Sequence, residues 1–128
     1  MIDDGETCSV WSEREHKAKK QHKCGECSRQ IEAGETYVAI FGVFEGDPFH
    51  GKICGHCAVL ADWLGENCGG YLVGMVVEDF TEHARDYRRM DLARLAVMAR
   101  KDWRSVRRRQ MVPVPIVPRP LSPEARAA

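Results

Sequence analysis

Six cysteines stand in this chain, and four of them form two Cys-x-x-Cys pairs. Cys24 and Cys27 form the first of these sequence pairs and Cys54 and Cys57 the second, and 26 residues lie between the two pairs. A two-residue gap lets both sulfurs of a pair face one ion, and two pairs supply the tetrahedral four-sulfur shell that Zn²⁺ accepts. The spacing therefore predicts one structural Zn²⁺ bound by Cys24, Cys27, Cys54 and Cys57.

Other uses of these residues stay open beside zinc. An iron–sulfur or rubredoxin-like iron site accepts the same four sulfurs, whereas a disulfide framework suits a cytosolic chain poorly. His50 and His56 lie close to the second pair and are alternative ligands, although two complete cysteine pairs make them unnecessary. Cys8 and Cys68 are expected to be a free thiol and a small buried residue. Glycine follows the first cysteine of each pair and is expected to relax the backbone of the turn.

The charge of the chain is divided between its two parts. The formal net charge of the 128 residues is zero, but residues 1–84 carry −8 and residues 85–128 carry +8. Such asymmetry suggests an acidic module with a basic arm, or two parts that attract each other. No run of about 18 apolar residues predicts a membrane span. The acidic N-terminus lacks the apolar stretch of a signal peptide, so the sequence predicts a cytoplasmic protein.

A strand–turn–strand pattern lies between the two cysteine pairs. Residues 36–44 are rich in β-branched and aromatic side chains, Gly46 to Pro48 predict a turn, and residues 49–53 return as a second strand. Beyond Cys57, apolar residues at helical spacing predict a short helix that ends between residues 65 and 70. The fold class predicted is small α+β: a zinc knuckle, a β-hairpin and a second knuckle that leads into a helix.

The remainder of the chain reads as flexible ends and two further helices. Residues 1–13 are predicted to be flexible, 14–70 form the zinc module, and 71–110 form a helical segment. That segment holds a helix over 71–87 and a third helix from Asp91 to about Gln110. Residues 111–128 are rich in proline and are predicted to be a disordered tail. The third helix carries a basic face, which is the candidate surface for a partner or a nucleic acid: Arg94, Arg100, Lys101, Arg104, Arg107, Arg108 and Arg109.

The two cysteine pairs occur within a longer pattern that resembles a known class of zinc finger. The pattern is His22-Lys23-Cys24-x-x-Cys27, followed by Ile31, Gly34, Tyr37 and Gly42, then Lys52-x-Cys54-x-x-Cys57. It resembles the four-cysteine treble-clef (zinc-ribbon-like) fingers, and more narrowly the small zinc-finger proteins encoded by bacteriophages and prophages. The resemblance implies a structural zinc and a phage or mobile-element setting. It implies no particular partner, because such folds serve many tasks.

The sequence favours binding over catalysis. A zinc with four thiolate ligands has no open position at which to activate water. A degenerate HNH-type nuclease is the enzymatic alternative, but Asp47-Pro48-Phe49-His50 separates the acid from the histidine base. No small-molecule substrate is evident. We therefore expect a regulator or inhibitor that binds a host protein or nucleoprotein complex, and the alternative is direct DNA or RNA binding through the Arg-rich third helix.

Overall fold

The structure is a computed structural model that describes residues 8–71, 73–105, 107 and 109–122. Within these residues five strands precede three helices. They are β1 (Cys8–Lys17), β2 (His22–Lys23), β3 (Gln30–Ile31), β4 (Thr36–Phe44), β5 (Asp47–Cys54), α1 (Gly55–Asn67), α2 (Val76–Asp86) and α3 (Met90–Arg100). The α+β class predicted from the sequence is confirmed. No helix in the described ranges is long and apolar enough to cross a membrane.

A three-stranded antiparallel sheet, in the order β1-β4-β5, forms one side of the molecule. The prediction of a flexible N-terminus is wrong for residues 8–13, which belong to β1, whereas residues 1–7 lie outside the described residues. β1 pairs with β4 from Cys8 opposite Phe44 to Lys17 opposite Thr36. Residues 13–17 expose their side chains. The main chain of this edge strand makes the pairing with β4. Because the exposed side chains take no part in it, this stretch shows no alternation of apolar and polar residues.

The β4–β5 hairpin confirms the predicted pair of strands, with a tighter turn than expected. Glu45 and Gly46 form the turn and both have left-handed backbone conformations, with φ of 50° and 85°. Two left-handed residues are typical of the two-residue turns that match the twist of a hairpin. β5 therefore begins at Asp47 and includes Pro48. Proline has no N–H to donate, and an edge strand tolerates it because its outward side has no neighbouring strand to bond.

α1 packs on the sheet, α2 packs on α1 and α3 packs on α2, and a single apolar core joins them. α1 contributes Trp63, whose ring meets the edge of Phe80 on α2 with centroids 5.4 Å apart. Leu92 on α3 is also fully buried. The helix predicted over residues 71–87 begins only at Val76, because Gly74 adopts a left-handed φ of 89° just before it. One cluster of buried residues joins the strands around the cysteines to all three helices.

The third helix is shorter than predicted. It spans Met90–Arg100 instead of continuing to about Gln110. The chain leaves the helix through Asp102 and Trp103, whose φ values of 57° and 59° are left-handed. The main-chain N–H groups of Lys101 and Trp103 both donate to the Met98 carbonyl and close the helix end. Trp103 is 1% exposed, so burial of this indole accompanies the left-handed geometry at the helix end.

The proline-rich tail is not a disordered segment over its described length. Residues 111–122 run as an extended chain across α1, and Leu121 is buried at the far end. The main-chain N–H of Leu121 donates to Asn67 Oδ1 at 2.9 Å, and Trp63 Nε1 donates to the Arg119 carbonyl at 3.1 Å. Residues 123–128 of the predicted tail lie outside the described residues. Composition indicated a chain without helix or strand, and packing against α1 orders it.

Glu26, between Cys24 and Cys27, connects the cysteine region to α2 by hydrogen bonds. Its carboxylate accepts the main-chain N–H of Gly74 at 2.7 Å and of Val76 at 3.0 Å. These N–H groups lie just before and at the start of α2, where main-chain donors lack helical partners. Burial raises the pKa of Glu26 although both bonds oppose this shift. The carboxylate therefore acts as a helix cap supplied by a distant part of the chain.

We predict that Glu26→Ala lowers the free energy of unfolding by about 1 kcal/mol, the usual cost of a lost helix cap. Thermal unfolding of the metal-loaded protein at neutral pH measures this change. Glu66→Ala is the matched control, because Glu66 is an exposed glutamate on α1. Equal stability of both variants would contradict the cap, and Glu26→Gln should recover part of the loss because its amide oxygen still accepts.

Candidate metal centre

The four paired cysteines come from two parts of the fold. Cys24 and Cys27 occupy the turn between β2 and β3, which is closed by a main-chain bond from Cys24 to Arg29. Cys54 ends β5, and Cys57 lies in the first turn of α1. The direct passage from strand to helix thus supplies the second pair, and the short β2–β3 ladder supplies the first.

The turns at the two pairs depend on close backbone approach. Gly25 and Gly55 do not adopt the left-handed conformation; a Cβ on either would lie 3.4 Å from a carbonyl oxygen, that of Lys52 or Thr36 respectively. The left-handed residue of the first turn is Ser28, with φ 66°. A left-handed backbone therefore does not require glycine at either position, and a Cβ there would lie at contact distance from a carbonyl oxygen.

The four sulfurs converge on one point. Sγ atoms of Cys24, Cys27, Cys54 and Cys57 all lie within 4.8 Å of one another, and those of Cys27 and Cys54 are 3.9 Å apart. A tetrahedral zinc site with Zn–S distances of about 2.3 Å requires sulfurs separated by about 3.8 Å. Three of the cysteines are buried and Cys27 is half-buried. Four cysteines close together in this geometry can hold a metal ion.

Main-chain N–H groups point at two of these sulfurs. Glu26 and Cys54 both donate to Cys24 Sγ at 3.4 Å. Cys57 donates to Cys54 Sγ at the same distance, which makes Cys54 the side-chain cap of α1. Hydrogen bonds of this kind, and the positive end of a helix, stabilise anionic sulfur. The backbone is thus arranged for thiolates, the form in which cysteine binds metal.

The pKa values of the four thiols respond to their crowding. Hydrogen bonding with Cys27 is the largest of the effects that lower the pKa of Cys24 to about 7. Bonds from Cys24 and the other two thiols hold the pKa of Cys54 well below its ordinary value. The pKa values of Cys27 and Cys57 are raised, first by their hydrogen bonds with Cys24. A bound divalent cation removes this competition, because each sulfur then coordinates as a thiolate.

A buried ion pair lies beside the sulfurs. Arg29 is 3% exposed and donates through both terminal nitrogens to the Glu35 carboxylate, at 2.8 and 3.0 Å. Burial opposes the charge on the guanidinium, but the bond to Glu35 and the thiolate of Cys54 outweigh it, so its pKa is raised. The Arg29 bond in turn lowers the pKa of Glu35. A permanent cation therefore stands next to the predicted ligand Cys54.

His56 connects this cation to the C-terminal part of the chain. Arg29 Nη2 lies 3.4 Å from His56 Nδ1, and His56 Nε2 lies 2.6 Å from the Val112 carbonyl. Because a guanidinium only donates, Nδ1 accepts and the ring proton lies on Nε2, which donates to Val112. Each ring nitrogen thus has a hydrogen-bond partner other than a sulfur. The alternative of His56 as a ligand is therefore not supported by its hydrogen bonds.

Trp103 completes the surroundings of the cluster. Its ring lies on His56 with centroids 5.3 Å apart, and its Nε1 donates to Cys57 Sγ at 3.4 Å. The third helix predicted from Asp91 to about Gln110 includes Trp103, and nothing in that prediction connects this residue with the cysteines. Trp103 lies 46 positions from Cys57, and no local pattern reveals such a contact. Arg29 was missed for a similar reason, since a single arginine in a turn usually remains in solvent.

The remaining candidate residues of the sequence are His50, Cys68 and Cys8, and none of them belongs to the described sulfur cluster. His50 is exposed on β5 and packs against Phe41, with ring centroids 4.9 Å apart. Cys68 is half-buried at the end of α1, where burial raises its pKa. The side chain of Cys8 lies outside the described residues. The described group of cysteines that can hold a metal is therefore the one predicted from the spacing.

The predicted basic face is not one continuous helical face. Arg94 and Arg100 lie on α3, whereas Lys101, Arg104, Arg107 and Arg109 follow the end of that helix; all are exposed, and Arg108 lies outside the described residues. An antiparallel bridge between Arg104 and Met111 and a bond from Ser105 N to the Gln110 carbonyl bring the two ends of this stretch together. We call its described residues, 104, 105, 107 and 109–111, the arginine turn.

No protein-family model, curated protein or solved structure matches this chain. The interpretation of the site therefore rests on the donor set and its geometry. Four cysteine sulfurs suit the softer metals, and a closed shell of four thiolates at tetrahedral spacing is typical of structural zinc. Cys24, Cys27, Cys54 and Cys57 would hold such an ion, which would supply cross-linking between the β2–β3 turn and α1.

We predict that Trp103→Phe weakens zinc binding about tenfold, because it removes the N–H bond to Cys57 while a ring still covers His56. Competition against a chromophoric chelator at fixed pH measures the affinity. Trp11→Phe is the matched control, since the Trp11 ring contacts Phe49 and Tyr71 on the opposite side of the sheet region. Equal zinc affinities of wild type and Trp103→Phe would contradict a role for this donor.

Proposed function

We propose that this chain is a non-catalytic zinc protein whose single structural Zn²⁺ holds a treble-clef-like module together. The observation that carries the proposal is the convergence of four cysteine sulfurs within 4.8 Å, with main-chain and indole N–H groups donating to them. The order of knuckle, hairpin and second knuckle opening a helix supports the treble-clef assignment. Zinc bound in this way has no position for substrate or water, which supports a structural role.

We further propose that the module binds a host protein or nucleoprotein complex, as a regulator or inhibitor carried by a phage or mobile element. The setting rests on the resemblance of the cysteine pattern. The binding role rests on the surface: the arginine turn and the neighbouring Arg94 and Lys101 present exposed cations. Of the described ion pairs, Arg29–Glu35 and Arg89–Asp91, neither uses these residues. A cationic surface of this kind favours a partner with acidic side chains or phosphates.

Direct reading of DNA through a helix has less support than partner binding. α3 ends at Arg100 and carries only two arginines, Arg94 and Arg100, and α1 carries no Lys or Arg. Motifs that read the major groove present several side chains from one helix to the bases. The arginine turn remains able to contact phosphates, so binding to DNA or RNA without sequence specificity is the alternative that experiment must separate.

Removal of single cysteines tests the zinc assignment. We predict that Cys24→Ser or Cys57→Ser loses the metal and unfolds residues 24–67, because structural zinc contributes about 10–16 kcal/mol while small domains are stable by only about 5–15 kcal/mol. Elemental analysis gives the zinc content, and the dispersion of the amide NMR spectrum reports the fold. Cys8→Ser and Cys68→Ser are matched controls that should keep one zinc per chain. Undiminished zinc in Cys24→Ser would overturn the ligand assignment.

Charge reversal tests the binding surface. Zinc-loaded protein is titrated into labelled duplex DNA, single-stranded RNA and a poly-glutamate peptide, at low and moderate salt, with anisotropy as the readout. We predict saturable binding to poly-glutamate that Arg94→Glu/Lys101→Glu/Arg107→Glu weakens at least tenfold. The matched control is Lys19→Glu/Lys20→Glu/Lys23→Glu, which reverses three exposed lysines elsewhere.

The outcomes of this titration separate the two proposals. Micromolar DNA or RNA binding, with a logarithmic salt slope that falls by about 3 on loss of three phosphate contacts, would favour direct nucleic-acid binding. Binding to poly-glutamate with weak nucleic-acid binding supports an acidic protein partner. Absence of binding to all three probes at low salt would overturn the assignment of this surface.

A further inference from the structure

The C-terminal segment, residues 111–122, lies extended along α1. We call the surface of α1 that contacts it, at His56, Trp63 and Asn67, the α1 groove. At one end His56 Nε2 donates to the Val112 carbonyl, and the Val112 N–H donates to the Trp103 carbonyl at 2.8 Å. At the other end Trp63 Nε1 donates to the Arg119 carbonyl and Asn67 accepts from Leu121. Each of these bonds is made to the main chain of the segment.

The middle of the segment contributes little to its attachment. Val114 and Val117 are each 55% exposed and Ile116 is 92% exposed, whereas Leu121 is only 4% exposed. A chain that served only to complete the core would bury these aliphatic side chains. The groove therefore recognises the two ends of an extended peptide and one leucine side chain.

Proline makes this segment suitable as a separable ligand. Residues 113, 115, 118 and 120 are prolines, which hold the backbone extended and remove main-chain donors that would otherwise pair in a sheet. A segment that is already extended loses less conformational entropy when it docks. Its affinity for the groove is therefore a property of the segment itself and does not require a continuous chain from the same molecule.

The turn that leads into the segment is strained at Arg109. This residue adopts a left-handed φ of 52°, a conformation that is unfavourable for a non-glycine residue. Opening the turn into an extended linker relieves this strain. Short hinges under strain favour exchange of the following segment between molecules.

We propose that two copies of this chain exchange their C-terminal segments, so that residues 111–122 of one molecule dock in the α1 groove of the other. In the exchanged dimer the Val112 carbonyl bonded to His56, next to the metal centre, comes from the second copy. This inference depends on the contacts of the segment and goes beyond the proposed partner, whose identity does not affect it. Docking within one chain has an effective concentration in the millimolar range, so exchange becomes substantial in the wild type only near that concentration.

Deletion of residues 105–110 tests the proposal directly. Arg104 and Met111 then become neighbours in the chain and cannot form an antiparallel bridge, so the segment can no longer turn back onto its own α1. We expect this variant to be a dimer by light scattering at about 50 μM, where the intact hinge leaves the protein largely monomeric. A variant with residues 105–110 replaced by six Gly and Ser residues is the matched control and should stay monomeric.

A second substitution identifies the surface that holds the dimer. In the deletion background Leu121→Asp should restore the monomer, because it places a charge in the leucine site, whereas Ile116→Asp should leave the dimer intact. A monomeric deletion variant with one zinc per chain would overturn the proposal. A dimer that survives Leu121→Asp would also overturn it, since another surface would then hold the two copies.

Subunit complementation keeps the proposal testable if the deletion variant fails to fold. Full-length Asn67→Ala lacks the acceptor in the groove and full-length Leu121→Asp lacks the leucine of the segment. Mixing them at about 1 mM should yield a heterodimer with one intact docking site, seen by native mass spectrometry, while neither variant dimerises alone. Absence of a heterodimer, together with a wild type that stays monomeric up to this concentration, would overturn the exchange. Loss of zinc from the Cys24→Ser variant bears only on the metal assignment, so the two proposals fail separately.

Discussion

Convergence of the four cysteine sulfurs is the constraint on which the remaining structure depends. Cys24 and Cys27 are presented by the β2–β3 turn, and Cys54 and Cys57 by the junction of β5 with α1. Three attachments begin at or beside these positions. Glu26 reaches α2, His56 reaches the C-terminal segment, and Trp103 returns from beyond α3 to Cys57. A small chain has little apolar core, and a metal ion bound by the four sulfurs would compensate for that.

Burying a group of thiolates requires compensation of charge, and the fold provides it at several levels. Zn²⁺ with four thiolates carries a net charge of −2. Main-chain N–H groups donate to the sulfurs of Cys24 and Cys54, and the N-terminus of α1 directs its positive dipole end at the cluster. Arg29 supplies a full positive charge and is held in place by Glu35. The intrinsic nucleophilicity of a thiolate falls as hydrogen bonds and positive charge lower the pKa of its thiol. This environment is consistent with a structural centre.

Among the described residues, no ion pair joins the acidic part of the chain to its basic part. The ion pairs among the described residues, Arg29–Glu35 and Arg89–Asp91, are each local in sequence. The acidic and basic parts are joined instead by apolar packing and by hydrogen bonds such as those of Glu26 with Gly74 and Val76. The described cations from Arg94 to Arg109 are exposed. An exposed cationic surface beside the core that surrounds the cysteine cluster is the physical basis of the proposed binding role.

The sequence alone determined the parts of the structure whose signals are local. The two-residue gap in each cysteine pair specified the sulfur cluster, β-branched residues specified β4, and the apolar period after Cys57 specified α1. Tertiary structure decided what depends on distant contacts. β1 has no apolar alternation because its partner is the main chain of β4, α3 ends early where Trp103 is buried, and residues 111–122 are ordered by α1. Helical periodicity and proline content report local preference only, whereas contacts such as Trp103 with Cys57 and His56 with Val112 join residues 46 and 56 positions apart. Such contacts form when the whole core assembles, and no window of sequence contains them.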